Sequence, residues 1–132
     1  MPRRDWDQIR NLMLVAESLD KRDFSKANIC SSEKEEFQFD CMLDAGLLRW
    51  SDGQSEQSIN YAVKNGLAVR RTISYWISSE GHDYLDAVRD EKIWAKTIKT
   101  VNAISGATLS AIMGIAVAYG KQAVEEKFGL KL

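Results

Sequence analysis

Leu43-Asp44-Ala45-Gly46-Leu47-Leu48 and Ile77-Ser78-Ser79-Glu80-Gly81-His82-Asp83-Tyr84-Leu85 decide how this chain folds. The first stretch closes a helical pattern. Gly46 stands where the chain after a last helical turn goes left-handed, a conformation that strains any residue with a Cβ. The second stretch opens a helix: Ser78 is a hydroxyl cap, and Tyr84, Leu85 and Val88 follow at helical spacing. The pattern between the two is extended. Ile59, Tyr61 and Val63 alternate, Asn65-Gly66 follows with Leu67 and Val69, and Ile73, Tyr75 and Ile77 alternate again after Arg70-Arg71. Asn-Gly between alternating runs predicts a β-hairpin, because both turn positions take positive φ. A short helix over Ser58 to Lys64 is the alternative reading of the same residues.

Helices flank this centre. Asp5-x-x-Gln8 is a capping-box-like start, and Trp6, Ile9, Leu12, Met13, Ala16 and Leu19 predict a first helix from Trp6 to about Leu19. Asp20 to Ser32 reads as a polar connection with a short extended piece around Asn28 to Cys30. Ser32, with Glu35 three residues later, starts a second helix whose apolar face is expected from Phe37, Cys41 and Leu43, with Met42 beside them. A third helix runs from about Ser79 to Arg89, and Asp90 caps a fourth bearing Ile93, Trp94, Ile98 and Val101. Gly106 separates that from a last helix bearing Leu109, Ile112, Met113, Ala116, Ala123, Val124 and Phe128, which Gly129 ends.

The order of helix, helix ending in Gly46, hairpin and capped helix resembles a winged helix. A narrower resemblance rests on three segments. They are Arg4-Asp5-Trp6-Asp7-x-Ile9-Arg10, Asp44-Ala45-Gly46-Leu47, and Gly81-His82-Asp83-Tyr84-Leu85-Asp86-Ala87-Val88-Arg89-Asp90-x-x-x-Trp94. In that order they resemble the bacterial and phage family catalogued as domain of unknown function 2513. The resemblance implies a fold and a phage, prophage or mobile-element setting, and it brings no catalytic or ligand residue with it. The Ala/Gly-rich final helix departs from the family. The expected architecture is α+β: a winged helix-turn-helix core over about residues 1–90 with a β-hairpin wing, and a C-terminal helical hairpin over about 91–132, in one domain.

Composition bounds the function. The chain has 132 residues, 45% hydrophobic and 28% charged, with a net charge of −1. That excludes a disordered chain and a uniformly basic nucleic-acid coat. Two cysteines, Cys30 and Cys41, and one histidine, His82, are too few for a four-ligand zinc site. The cysteine pattern reads as two reduced thiols of a cytoplasmic protein. The N-terminus has no signal-peptide core. Asn102 to Gly120 carries no charge, but Ser, Thr, Asn and three Gly dilute it, so a buried or subunit-facing helix is expected rather than a membrane span.

Three basic groups are candidate phosphate contacts: an arm at Arg3, Arg4 and Arg10; Lys21, Arg22 and Lys26; and Lys64, Arg70 and Arg71 in the wing. Lys34 is added from the second helix. Against them, the helix in the recognition position opens Glu33-Lys34-Glu35-Glu36, and carboxylates there repel a duplex. His82 with Glu80, Asp83 and Asp86 is the most enzyme-like cluster. Acids also gather at a helix N-terminus because its dipole favours them, and that reading is preferred. Trp6 and Trp94 are expected in the core, Trp50 and Trp76 at the wing.

The last helix has apolar residues around most of its circumference. Leu109, Ile112 and Met113, with the small residues Gly114 and Ala118, are expected to face a second subunit while the fourth helix covers the other side. The expected function is a small regulatory protein of phage or mobile-element origin. It would bind double-stranded DNA as a homodimer or, alternatively, serve as an interaction module for a host or phage protein. No catalysis, cofactor, metal or membrane is expected.

Overall fold

The computed structural model describes residues 2–52, 60–61, 63–66, 73–104, 107–129 and 131. Its elements are α1 (Trp6–Ser18), a 3-10 turn (Lys26–Asn28), α2 (Glu33–Asp44), β1 (Leu48–Ser51), β2 (Ser74–Ile77), α3 (Ser79–Val88), α4 (Glu91–Ala103) and α5 (Leu109–Phe128). The fold is mixed α+β. β1 and β2 are antiparallel, with Leu48 opposite Ile77, Arg49 opposite Trp76 and Trp50 opposite Tyr75. Phe24 bridges Tyr75 through two backbone hydrogen bonds of 2.9 Å. The N–H and C=O of Tyr75 point to the same side, so Phe24 lies on the edge of β2 away from β1.

The two stretches that punctuate the sequence are joined to each other. Gly46 has φ +82°, its N–H bonds the Leu43 carbonyl at 3.1 Å, and the Leu47 N–H bonds the Met42 carbonyl at 3.0 Å. This is a Schellman ending, with Met42 and Leu47 as its fully buried apolar pair. The Ser78 hydroxyl donates to the Gly46 carbonyl at 2.5 Å and accepts from the Gly81 N–H at 2.9 Å. The Ser78 N–H bonds the Leu47 carbonyl at 3.0 Å. A Cβ on Gly81 would lie 2.2 Å from the Leu47 carbonyl oxygen, so only glycine lets α3 start against the end of α2.

The core gathers around this joint. Ile9 and Met13 of α1, Phe39 and Met42 of α2, Leu47, and Tyr84, Leu85 and Val88 of α3 are fully buried. Leu43 and Ile77 pack half-buried against them. Arg10 is buried and closes the far end of α3: its Nε donates to the Val88 carbonyl at 2.8 Å and one terminal nitrogen to that of Arg89 at 2.9 Å. Trp6 and Trp94 are both core residues. Their indole N–H groups reach the Ala107 carbonyl at 3.2 Å and Asp7 at 2.7 Å.

The structure corrects three local expectations. Asn65-Gly66 is not a hairpin turn. Asn60, Tyr61, Val63 and Lys64 are helical, the Asn65 N–H bonds the Tyr61 carbonyl at 3.1 Å, and Gly66 at φ +67° follows that turn. A positive φ serves a helix end as well as a hairpin, so the dipeptide does not distinguish them. The extended residue between α1 and α2 is Phe24, while Lys26–Asn28 is a 3-10 turn. The apolar face of α2 is rotated: Phe39 and Met42 are inside with Gln38, and Phe37, Cys41 and Leu43 sit half-buried at its edge. Gln38 tolerates burial because it accepts from the Asp5 N–H at 2.8 Å and donates to the Arg3 carbonyl at 2.9 Å. The strand expected at Leu67 and Val69, with Arg70 and Arg71, and the break at Gly106 lie outside the described residues.

α5 packs along α4 and also against α3. Among the described residues no helix is long and apolar enough to cross a membrane.

Candidate functional site

α2 presents its outer face between the Ser32 cap and the Gly46 ending. Ser32 accepts from the Glu35 N–H at 3.2 Å. The Glu35 carboxylate turns back to the N–H and hydroxyl of Ser31, at 3.0 and 2.7 Å, and these bonds hold it below the usual carboxylate range. Glu33, Glu36, Asp40 and Asp44 are exposed on this helix, with Lys34 as its one cation. Lys26 reaches across to Asp40 at 2.7 Å, and that bond raises its pKa and fixes its charge.

The predicted basic residues fall in separate places. Arg3 and Arg4 precede α1, and the Arg4 guanidinium stacks 4.6 Å over the Trp6 ring. Lys21 and Arg22 follow α1, whose 13 residues span about 20 Å. The Arg22 guanidinium lies 4.6 Å over the Trp76 ring and meets Asp23 at 3.1 Å. Lys34 stands among the α2 carboxylates, and Lys64 is exposed near the end of its helical turn. Arg70 and Arg71 lie outside the described residues. Sequence reasoning missed Arg49. It is exposed on β1 and is the cross-strand neighbour of Trp76, whose ring lies under the Arg22 guanidinium. The alternation Leu48-Arg49-Trp50 was the signal for it.

Two clefts flank these elements. One, of about 600 Å³, lies between α2 and β1 and is lined by Phe37, Asp40, Cys41, Leu43, Asp44 and Trp50. Trp50 is 57% exposed over it. The other, of about 280 Å³, is lined by Ala16, Glu17, Lys21, Arg22, Ile77 and His82. In the second, the expected pairing of His82 with Asp86 does not form. Asp86 turns to Arg89 at 3.2 Å rather than to His82, and Arg89 also holds Glu17 through both carboxylate oxygens. No group of three or more potential metal ligands occurs among the described residues. Both cysteines are free thiols. Burial pushes Cys30 up to about 11, and burial raises Cys41 as well, so both stay protonated at neutral pH.

The residues expected at a subunit interface divide. Ile112 is fully buried in the chain's own core, while Leu109 and Met113 pack half-buried against it. Gly114 and Ala118 are exposed, beside Val117 at 43% exposure.

The family model described as Hypothetical protein (DUF2513) matches residues 3–108. An uncharacterized protein of Haemophilus influenzae is 26% identical over 122 residues, which covers 86% of this chain and 92% of that protein. No solved structure matches. The matched residues run from the arm before α1 to Thr108, the residue that caps α5. They include the joined turns at Gly46 and Ser78 and all of α2, and on that match the chain belongs to the DUF2513 family.

Proposed function

We propose that this chain is a small winged-helix regulator that acts through protein contact. The order of α1, bridging Phe24, a short turn, α2 and an antiparallel ribbon supports the winged-helix reading, with α2 in the recognition position. One observation carries the choice of partner. The exposed face of α2 holds Glu33, Glu36, Asp40 and Asp44 against its own Lys34 and the Lys26 that pairs with Asp40. Duplex DNA carries one negative charge per about 1.7 Å of axis, so this face would be repelled from a groove. A protein surface can complement it.

Duplex binding is the second reading, favoured by the Arg22–Trp76–Arg49 cluster on the ribbon. Lys21 stands beside the cluster, and Arg70 and Arg71 belong to the same wing connection in sequence. A labelled duplex titrated with the protein at about 50 mM salt separates the two. No binding is expected. Binding that weakens when Arg22 and Arg49, or Arg70 and Arg71, are reversed to Glu, with about one unit less salt slope per lost contact, would establish the DNA reading.

A cytoplasmic, phage- or prophage-borne homodimer completes the proposal. The two unpaired cysteines are in keeping with the compartment, the family resemblance supports the setting, and the exposed Gly114–Val117–Ala118 face of α5 supports the dimer. Light scattering should give a dimer mass for the wild type and a monomer mass for Gly114→Leu/Ala118→Leu. A wild-type monomer at high concentration removes the dimer. The reading assigns no catalytic residue and no cofactor.

A further inference from the structure

We propose that the cleft between α2 and β1 is a docking site for a basic, hydrophobic peptide segment of a partner protein. This deepens the protein-contact reading and rests on it.

The cleft is lined by four apolar residues and two carboxylates. Phe37, Cys41 and Leu43 are half-buried along the edge of α2, and the exposed Trp50 lines the same cleft from β1. Phe37, Cys41 and Asp44 recur every three or four residues, so they share one side of the helix. Burial holds the Cys41 thiol protonated, with the Arg4 charge opposing the shift and the Asp40 and Asp44 charges adding to it, and the thiol so serves as apolar wall. An indole 57% exposed on a short strand carries a large unspent contact area.

Charge selects the occupant. The six lining residues include two carboxylates, Asp40 and Asp44, and no Lys or Arg. Lys26 pairs with Asp40, while Asp44, Glu33 and Glu36 have no ion-pair partner among the described residues. Glu33 lies four residues before Phe37 and extends the acidic edge along α2. A segment bringing an aliphatic or aromatic side chain onto Trp50, Phe37 and Leu43, with Arg or Lys beside it for Asp44, Glu33 and Glu36, complements both features. An acidic segment or a nucleic-acid backbone does not.

The test uses the full chain and two fluorescein-labelled synthetic peptides, one of Leu, Phe and Arg, and one with Glu in place of each Arg. Anisotropy should show the basic peptide binding and the acidic one not. Trp50→Ala and Asp44→Lys should each weaken binding about tenfold, since a central aromatic anchor and its flanking charge dominate small interfaces. Glu126→Lys, a reversal on α5 far from the cleft, should change it little. Trp50 and Asp44 are exposed, so both variants keep the fold. Three results overturn the cleft: no binding of the basic peptide, binding unchanged in Trp50→Ala, or equal loss in Glu126→Lys, which would mean nonspecific attraction to an acidic protein. A labelled duplex is titrated in parallel. Duplex binding overturns the protein-contact reading itself, whereas failure of both duplex and peptide overturns the cleft alone.

Discussion

α2 and α5 are opposites in composition and in burial, and the two do not correspond as expected. α2 has Glu33, Lys34, Glu35, Glu36, Asp40 and Asp44 in 12 residues, yet Phe39 and Met42 are fully buried and Gln38 nearly so. α5 carries no charge from Leu109 to Gly120, yet of its 20 residues only Ile112 and Ala116 are buried. The difference is the number of neighbours. α2 is enclosed by α1, by β1 and by Tyr75, whose ring meets Phe39 edge-on at 4.8 Å. α5 leans on α3 and α4 and faces solvent elsewhere. It also begins where the family match stops. Composition shows how much apolar surface an element has to bury, and its position in the fold shows how much it buries.

The sharpest way to break this contrast is to remove one apolar side chain from each helix. Phe39→Ala should cost about 4 kcal/mol, for lost transfer and a cavity under Tyr75. At a dilution where the chain is monomeric, Val117→Ala should change stability by less than about 0.5 kcal/mol, as a surface substitution does. Equal urea midpoints for the two variants would erase the distinction.

A pair of glycine substitutions sharpens it. Gly81→Ala should cost about 3 kcal/mol, because its Cβ meets backbone at the joint between α2 and α3. Gly114→Ala, with nothing within 4 Å of its Cβ, should stabilise by about 0.7 kcal/mol through the unfolded chain. If thermal unfolding of the dilute monomer shows Gly114→Ala to be destabilising, another part of the same chain covers the α5 face.

Ser78→Ala acts on the same joint. It removes a cap bond to Gly81 and a bond to the Gly46 carbonyl, and should cost about 1.5 kcal/mol by denaturant titration. Ser78→Thr should recover part of that loss, as a cap would.

The smallest effect is a pH dependence of the ion pair between Glu17 on α1 and Arg89 at the end of α3. The paired bonds from Arg89 hold the Glu17 carboxyl below its ordinary 4.5. A depressed folded value stabilises above 4.5 and is lost as pH falls below it. The pair is partly exposed, so the loss is small. Urea midpoints between about pH 6 and pH 3 should fall slightly less in Arg89→Met than in the wild type. An identical acid slope in both would detach this pair from stability.

The helix ends were legible because their causes are local. Asp5, Ser32, Ser78, Asp90 and Thr108 each accept from a first-turn N–H, and Gly46 and Gly129 take positive φ. Of these, only Thr108 escaped notice in the sequence. Asn65-Gly66 was misleading because the same local rule serves two structures. The candidate site was half legible. The acids of α2 were plain, but Phe37, Cys41 and Leu43 were expected inside, and their place at the cleft edge follows from the rotation of α2.

By itself the sequence determined the α+β class, the capped starts of four helices, the Gly46 and Gly129 endings and the acidic character of α2, since each depends on a few neighbouring residues. Only the tertiary structure decided which side of α2 faces inward, that Phe24 pairs with Tyr75, that Arg22 lies over Trp76 with Arg49 as its cross-strand neighbour, and that Trp50 lines a cleft with two carboxylates. These depend on contacts between residues far apart in the chain. Such contacts are selected by packing the whole core at once, and no local pattern encodes them.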